Sequence, residues 1–168
     1  MTITSTDPRP HFRRPLGTSR SRAGTLRPMK AEPEAAPVIA AVDGSRAAAT
    51  AAQAAVRLAR DLGAPLVFVY VRRGPSSALG EPYYQRRLDA EMGAGRRALS
   101  NALAIAAQAG VRATGEQLAG SPAPRVVEFA RLRRARLVVL GSRRRRPGRS
   151  VSRDVIRGAD RPVLVAVA

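Results

Sequence analysis

Residues 38–71 read VIAAVDGSRAAATAAQAAVRLARDLGAPLVFVYV, and this stretch decides the fold. An apolar run over residues 38–42 stops at Asp43, and an alanine-rich segment with apolar residues at near-helical spacing follows and ends at a glycine. A second apolar run, residues 66–71, contains no charge, as is typical of a strand buried on both faces. The stretch therefore predicts strand, helix and strand, with Ser45 as the helix N-cap.

The same alternation continues along the rest of the chain. Helical spacing is predicted for residues 83–109, from residue 122 through at least residue 132, and for residues 151–157, and strands for residues 111–118, 137–141 and 162–167. Five strands alternating with four helices predict an α/β fold, an open parallel sheet with helices on both faces. Such sheets bind ligands at the carboxyl ends of the strands, so the loops at residues 43–45, 72–74 and 141–150 form the expected site.

Residues 1–37 differ from the rest in composition. They hold seven basic residues, three acidic residues and six prolines, and they show no apolar periodicity. A segment of this kind buries too little apolar surface to offset the entropy lost on ordering. We therefore expect residues 1–37 to form a disordered basic arm and residues 38–168 to fold as one domain.

The composition excludes several classes of site. There is no cysteine, which excludes disulfides, thiolate metal sites and thiol catalysis. The single histidine, His11, lies in the arm, so a histidine base or metal cluster is not expected. No apolar run approaches the roughly 20 residues that span a bilayer, and no apolar segment follows the N-terminal arginines. We expect a cytoplasmic protein that has no membrane span and no metal.

The chain is strongly basic. Its formal charge is +18, from 30 basic and 12 acidic residues, and a chain of this charge attracts polyanions whatever its fold. The region from Arg125 to Arg161 holds thirteen arginines and three acids. It is either a solvated surface or a nonspecific contact for RNA, DNA or polyphosphate. Phe129 is its only aromatic residue, so base stacking is not supported.

Four segments carry a resemblance to a known family: VIAAVDGS, LVFVYV, LVVLGSR and SVSRDVIRGADRPVLVAV. From about Val38 to Val167 the chain resembles the universal stress proteins. The resemblance implies a sheet of five parallel strands, a role in stress responses and, in many members, ATP binding. Because the family often pairs through its last strand, the C-terminal segment PVLVAVA implies a homodimer.

The loop after the fourth strand departs from the family pattern. ATP-binding members carry G-x-x-G, nine further residues, and then G followed by Ser or Thr. Here Gly141 matches the first glycine, Arg144 stands at the second and Arg149 at the third, directly before Ser150. Gly148 offers a replacement one position early, and the loop is five residues short. Since glycine lets backbone N–H groups approach phosphate while arginine binds it by charge, the comparison implies a degenerate site that binds ATP weakly or not at all.

The remaining candidates each have two explanations. By resemblance, Asp43 meets the base and ribose, Val71 contacts adenine through its backbone, and Ser45 lies near the site. From the residues alone, Asp43 caps a turn, Ser45 caps a helix, Val71 fills the core, Gly141 ends a strand and Ser150 caps the last helix.

Three functional hypotheses follow from these observations. The first is a stress-response domain with a degenerate nucleotide site. The second is a basic module for polyanions or protein partners, and the third is an ATP sensor with an atypical loop. We do not expect an enzyme, because Asp43 has no paired carboxylate or base.

Overall fold

A computed structural model describes residues 35–74, 80–143 and 150–168. The predicted arm lies outside the described residues as far as residue 34, and so do the predicted site residues Arg144 and Gly148. The elements are β1 (Val38–Ala41), α1 (Arg46–Asp61), β2 (Leu66–Arg72), α2 (Tyr83–Gln108), β3 (Ala113–Ala119), α3 (Pro122–Leu132), β4 (Leu137–Ser142), α4 (Val151–Gly158) and β5 (Val163–Val167). Among these helices, none is long and apolar enough to cross a membrane.

The strands form one parallel sheet in the order β3-β2-β1-β4-β5. Alternate residues of the central strands face two separate apolar clusters. Val38, Ala40 and Phe68 pack against α1 and α2, whereas Ile39 and Val67 pack against α3 and α4. The predicted fold class, an open parallel sheet covered on both faces, is therefore confirmed.

The strand order reverses at β1, the central strand. From β1 the chain moves outward through β2 to β3 and then returns to place β4 and β5 on the other side. The loops that follow β1 and β4 consequently leave the sheet in diverging directions and open a crevice at its carboxyl edge. This is the position at which sheets of this type bind ligands.

Gly141 allows α1 to lie unusually close to the sheet. The helix buries a face made almost entirely of alanine, and its first turn sits against the end of β4. A Cβ atom at Gly141 would overlap the backbone carbonyl of Ala47 and lie 2.8 Å from the amide nitrogen of Ala48. The prediction that Gly141 ends the strand is wrong, because Gly141 pairs with Ala166 inside β4 and the strand continues to Ser142.

Three helices end in the same closing motif, in which an N–H bonds to a carbonyl five residues earlier. The bonds join Ala64 to Ala59 at 2.9 Å, Val111 to Ala106 at 2.9 Å and Ala135 to Ala130 at 2.8 Å. In each motif the residue before the donor has a left-handed backbone: Gly63 at φ 58°, Gly110 at φ 69° and Arg134 at φ 49°. Two of the three positions hold glycine, the residue that adopts this conformation without strain.

The closing motif of α2 also explains why β3 starts later than predicted. The sequence pattern placed the start of this strand at Val111. The N–H of Val111 is bonded to Ala106 in the helix closure, and its side chain packs against the core beside the helix. The strand therefore starts only at Ala113.

Replacing Gly141 by alanine tests the close approach of α1. The added Cβ has backbone atoms in its way, so we expect the free energy of unfolding to fall by about 1 to 3 kcal/mol. Urea denaturation measures the change. Gly80→Ala is the control, since a Cβ there has no atom of the described residues within 4 Å. Equal stability of wild type and Gly141→Ala would contradict the described packing.

Candidate functional site

A cavity of about 370 Å³ opens at the carboxyl edge of the sheet between β1, β2 and β4. The structure brings the predicted site residues Asp43, Ser45, Val71 and Gly141 together in its lining. Ser150, also predicted, lies at the start of α4 and is not part of that lining. The predicted loop 72–74 contributes Arg72 and Arg73 to the lining.

The turn after β1 is held by its own side chains. The Asp43 carboxylate accepts a hydrogen bond from the Ser45 N–H at 2.9 Å, and Gly44 between them has φ 77°. The Ser45 Oγ in turn accepts from the Ala48 N–H at 3.2 Å, so the predicted N-cap of α1 is confirmed. Asp43 is exposed at the mouth of the cavity, and one of its oxygens is committed to the turn.

Val71 faces the cavity with its backbone. The last bond between β1 and β2 joins the Val42 N–H to the Val69 carbonyl at 2.9 Å. In a parallel sheet, residues two apart direct their N–H and C=O groups to the same side. The N–H and C=O of Val71 therefore point where β1 has ended and the cavity begins. The almost fully buried residues Val42, Val69 and Val126 also belong to the wall of this space.

Glu91 joins the site from α2, and the sequence pattern did not reveal it. Its Oε2 accepts a hydrogen bond from the Gly74 N–H at 2.8 Å, and its Oε1 lies 3.6 Å from Nε of Arg87. The carboxylate thereby fixes the start of the loop after β2 against the helix. Along the sequence, Arg87 and Glu91 form an ordinary surface pair four residues apart, and no local signal relates Glu91 to Gly74.

Ser152 is the serine that fastens α4 to the sheet. It is only 9% exposed, and its Oγ donates a hydrogen bond to the Gly141 carbonyl at 3.1 Å. Ser150 does occupy the N-cap position of α4, but its side chain makes no capping hydrogen bond, and only its carbonyl accepts from the Asp154 N–H. Ser150 therefore occupies the predicted N-cap position, but without a capping bond from its side chain.

The basic region from Arg125 to Arg161 is divided by the fold. Arg136 precedes β4 and lies at the amino edge of the sheet, whereas Arg143 follows β4 and lies exposed at the carboxyl edge. A six-residue strand separates the two by about 20 Å. The region thus supplies arginines to two opposite edges of the sheet.

The fold and the cavity define a doubly wound α/β domain with a crevice at the reversal of strand order. The model of the universal stress protein family matches residues 35–166, and the chain belongs to this family. Comparison with curated proteins found no match.

Among solved structures, a universal stress family protein from Burkholderia pseudomallei is 32% identical, with a TM-score of 0.65, over 80% of this chain and 97% of that one. The universal stress protein from Archaeoglobus fulgidus is 29% identical, with a TM-score of 0.66, over 77% and 97%. A universal stress protein from the same organism in complex with dAMP is 27% identical, with a TM-score of 0.61, over 79% and 98%.

Ser152→Ala tests the attachment of α4. Losing the bond to the Gly141 carbonyl should lower the free energy of unfolding by about 1 kcal/mol, measured by urea denaturation. Ser150→Ala is the matched control two residues away, and we expect a change below about 0.5 kcal/mol because no capping bond is lost. The reverse order of effects would mean that Ser150, and not Ser152, holds the helix.

Proposed function

We propose that this protein is a non-enzymatic stress-response domain that holds an adenine nucleotide weakly at the carboxyl-edge cavity, mainly by charge. The observation that carries the proposal is a difference between the base side and the phosphate side of the cavity. The wall beside Val71 suits a flat base, whereas arginines stand where the family pattern has phosphate-binding glycines.

Several features support a base at the wall. The lining of the cavity includes the apolar residues Val42, Val69 and Val126, and the volume of about 370 Å³ lies within the usual range for ligand pockets. The backbone N–H and C=O of Val71 offer one donor and one acceptor to the edge of a base. The Archaeoglobus relative that contains dAMP supports an adenine nucleotide as the ligand.

The phosphate side depends on charge. Gly141, the one motif glycine that the sequence retains in place, is required for packing against Ala47, so its presence is explained without a phosphate. Arg72 and Arg73 line the cavity, and Arg143 begins the loop that carries the next arginines. Guanidinium groups bind phosphate oxygens through paired donors, but exposed ones are screened by salt.

The carboxylates of the cavity support a role without catalysis. Asp43 accepts the N–H of Ser45, and Glu91 accepts the N–H of Gly74, so each carboxylate fixes a loop. General acid–base chemistry needs a titratable group aimed at the reacting atoms. The two carboxylates are better explained as parts of the framework.

Calorimetric titration with ATP tests the nucleotide proposal. We expect weak binding that falls steeply between low and physiological salt, because exposed charges are screened within about 8 Å at 0.15 M. Changing Arg143, Arg144, Arg145 and Arg146 to glutamine should abolish it. The same change at the exposed helix residues Arg57, Arg86, Arg96 and Arg97 is the control for lost charge and should leave most of the binding.

Two other outcomes of this titration have definite meanings. Tight, salt-insensitive binding that prefers ATP to GTP and is lost in Asp43→Ala would contradict a degenerate site, since we expect that variant to lose less than about threefold. Displacement of ATP by polyphosphate or RNA at equal charge, with no preference for a nucleotide, would favour the second hypothesis, a basic module for polyanions.

We also propose that the protein pairs through β5. This strand lies at one edge of the sheet, carries no charge, and is half-buried along most of its length. The Val138 N–H bonds to the Pro162 carbonyl and the Ala168 N–H to the Ser142 carbonyl, so the even-numbered residues face β4. The backbone groups of Val163, Val165 and Val167 face outward, and an open apolar edge favours pairing.

Val165→Pro tests the dimer without removing a bond to β4. Proline eliminates the outward N–H of Val165, which only a partner strand uses. Sedimentation equilibrium at tens of micromolar should give a dimer for the wild type and a monomer for the variant, with circular dichroism as the check on folding. A monomeric wild type would rule out pairing through β5 at these concentrations.

A further inference from the structure

A second concave surface lies at the amino edge of the sheet, at the opposite end of the strands from the cavity. It is a groove of about 1110 Å³ between the ends of α1 and α3 and the start of β3. We call it the amino-edge groove. Among the residues that the structure describes, its lining shares none with the lining of the carboxyl-edge cavity, so it is not an extension of the proposed nucleotide site.

The amino-edge groove is positively charged. Its lining contains Arg60, Arg112, Arg133 and Arg134, and no acidic residue belongs to the described lining. The C-terminal ends of α1, α2 and α3 face the same edge, and each helix end carries about half a negative charge. Together the three helix ends carry a charge of about −1.5, which is smaller in magnitude than the four positive charges of the arginines. The closing hydrogen bonds of the helices also satisfy some of the carbonyl groups at these ends. The groove therefore attracts anions.

Two of these arginines are held in place by the fold. Arg60 donates a hydrogen bond to the Ala109 carbonyl and so joins the ends of α1 and α2. The guanidinium of Arg133 lies 5.5 Å from the centre of the Phe129 ring. A cation fixed in this way loses less freedom on binding than a fully mobile side chain.

Arg134 stands where the other helices use glycine. Its backbone is left-handed, with φ 49°, at the position that Gly63 and Gly110 occupy in the equivalent closures of α1 and α2. An L-residue with a Cβ is strained in this conformation, and glycine is not. Strained positions are typical of functional surfaces. Arg134 is exposed and belongs to the lining of the amino-edge groove, which gives a reason for an arginine there.

The rest of the groove is apolar. Leu132 is 70% exposed between the arginines, and alanine, proline and valine side chains form much of the lining. No aromatic side chain is among the described lining residues, and the Phe129 ring is covered by Arg133. Nucleic-acid bases therefore have no ring to stack on, whereas an aliphatic side chain can pack on Leu132.

We propose that the amino-edge groove binds an acidic peptide segment of a partner protein, one in which carboxylates flank an aliphatic residue. The carboxylates pair with Arg112, Arg133 and Arg134, and the aliphatic residue covers Leu132. Carboxylates match the planar donors of arginine in geometry as well as in charge. Residues 1–34 of this chain hold seven basic and three acidic residues, so as a whole they do not complement the groove, although Glu32 and Glu34 directly precede the lining residues Ala35 and Ala36.

Fluorescence anisotropy with the full-length protein tests the proposal. The probe is a short labelled peptide of glutamates around one central leucine, at about 0.15 M salt. The double variant Arg112→Ala with Arg134→Gly should bind about tenfold more weakly. Arg86→Ala with Arg96→Ala removes the same charge from exposed positions of α2 and should stay within about twofold of wild type. Leu132→Ser should abolish the preference for the leucine probe over its serine analogue.

Arg134→Gly alone separates binding from folding. Glycine relieves the left-handed strain, so the melting temperature should rise while peptide binding weakens. Any of three results would overturn the proposal: no binding of the acidic peptide to the wild type, an equal loss in the α2 control variant, or tighter binding of an oligouridine than of the peptide with the same dependence on Arg112 and Arg134. The last result would assign the groove to a nucleic acid.

Discussion

The close contact between Gly141 and the first turn of α1 sets the geometry of the whole carboxyl edge. The helix reaches the sheet because its buried face is alanine and because Gly141 has no side chain. The capped start of α1 then stands beside the end of β4, where the Gly141 carbonyl also receives the hydroxyl of Ser152. One residue thus positions two helices, and the cavity is the space that remains in front of them.

This arrangement separates the packing role of a motif residue from its role in binding. In the family pattern the first glycine belongs to the phosphate loop. Here Gly141 would be required even if no phosphate were ever bound, since any side chain would meet the backbone at Ala47. Arginine occupies the next two motif positions, both of which lie outside the described residues. Recognition of the phosphates, on our proposal, has shifted from backbone geometry to charge.

Most of the fold could be predicted because its signals are local. Apolar runs without charge mark the buried strands, and Gly63 and Gly110 mark helix ends whose geometry requires them. The site was less predictable. Asp43, Ser45 and Val71 follow strand ends and could be found, but Glu91 and Ser152 act through contacts with residues distant in sequence or on another element. No pattern within α2 or α4 encodes those partners.

The roles of glycines and the positions of charged residues were also hard to predict from the sequence. Gly95 looks like a weak point in α2, yet a Cβ there would lie 2.7 Å from the Tyr70 ring and 2.8 Å from Gln117, so the helix needs it to approach the sheet. A run of arginines along the sequence gives no indication of which edge each one reaches. Only the position of β4 between Arg136 and Arg143 shows that they lie on opposite edges. The number of charges can be counted in the sequence, but the edge of the sheet at which each charge lies depends on the strand topology.

The central place of β1 has a consequence for the order in which the domain is completed. Val38 pairs with Leu66 on one side, closing a loop of about 30 residues, and with Leu137 on the other, closing one of about 100. During synthesis the chain reaches β4 long after β1, α1 and β2 have left the ribosome. Until then the innermost strand of the finished sheet is an outer one, with Val38, Ile39 and Ala40 open along one side to any other extended chain. The nascent protein therefore exposes one side of a strand in which the mature protein buries these three residues completely.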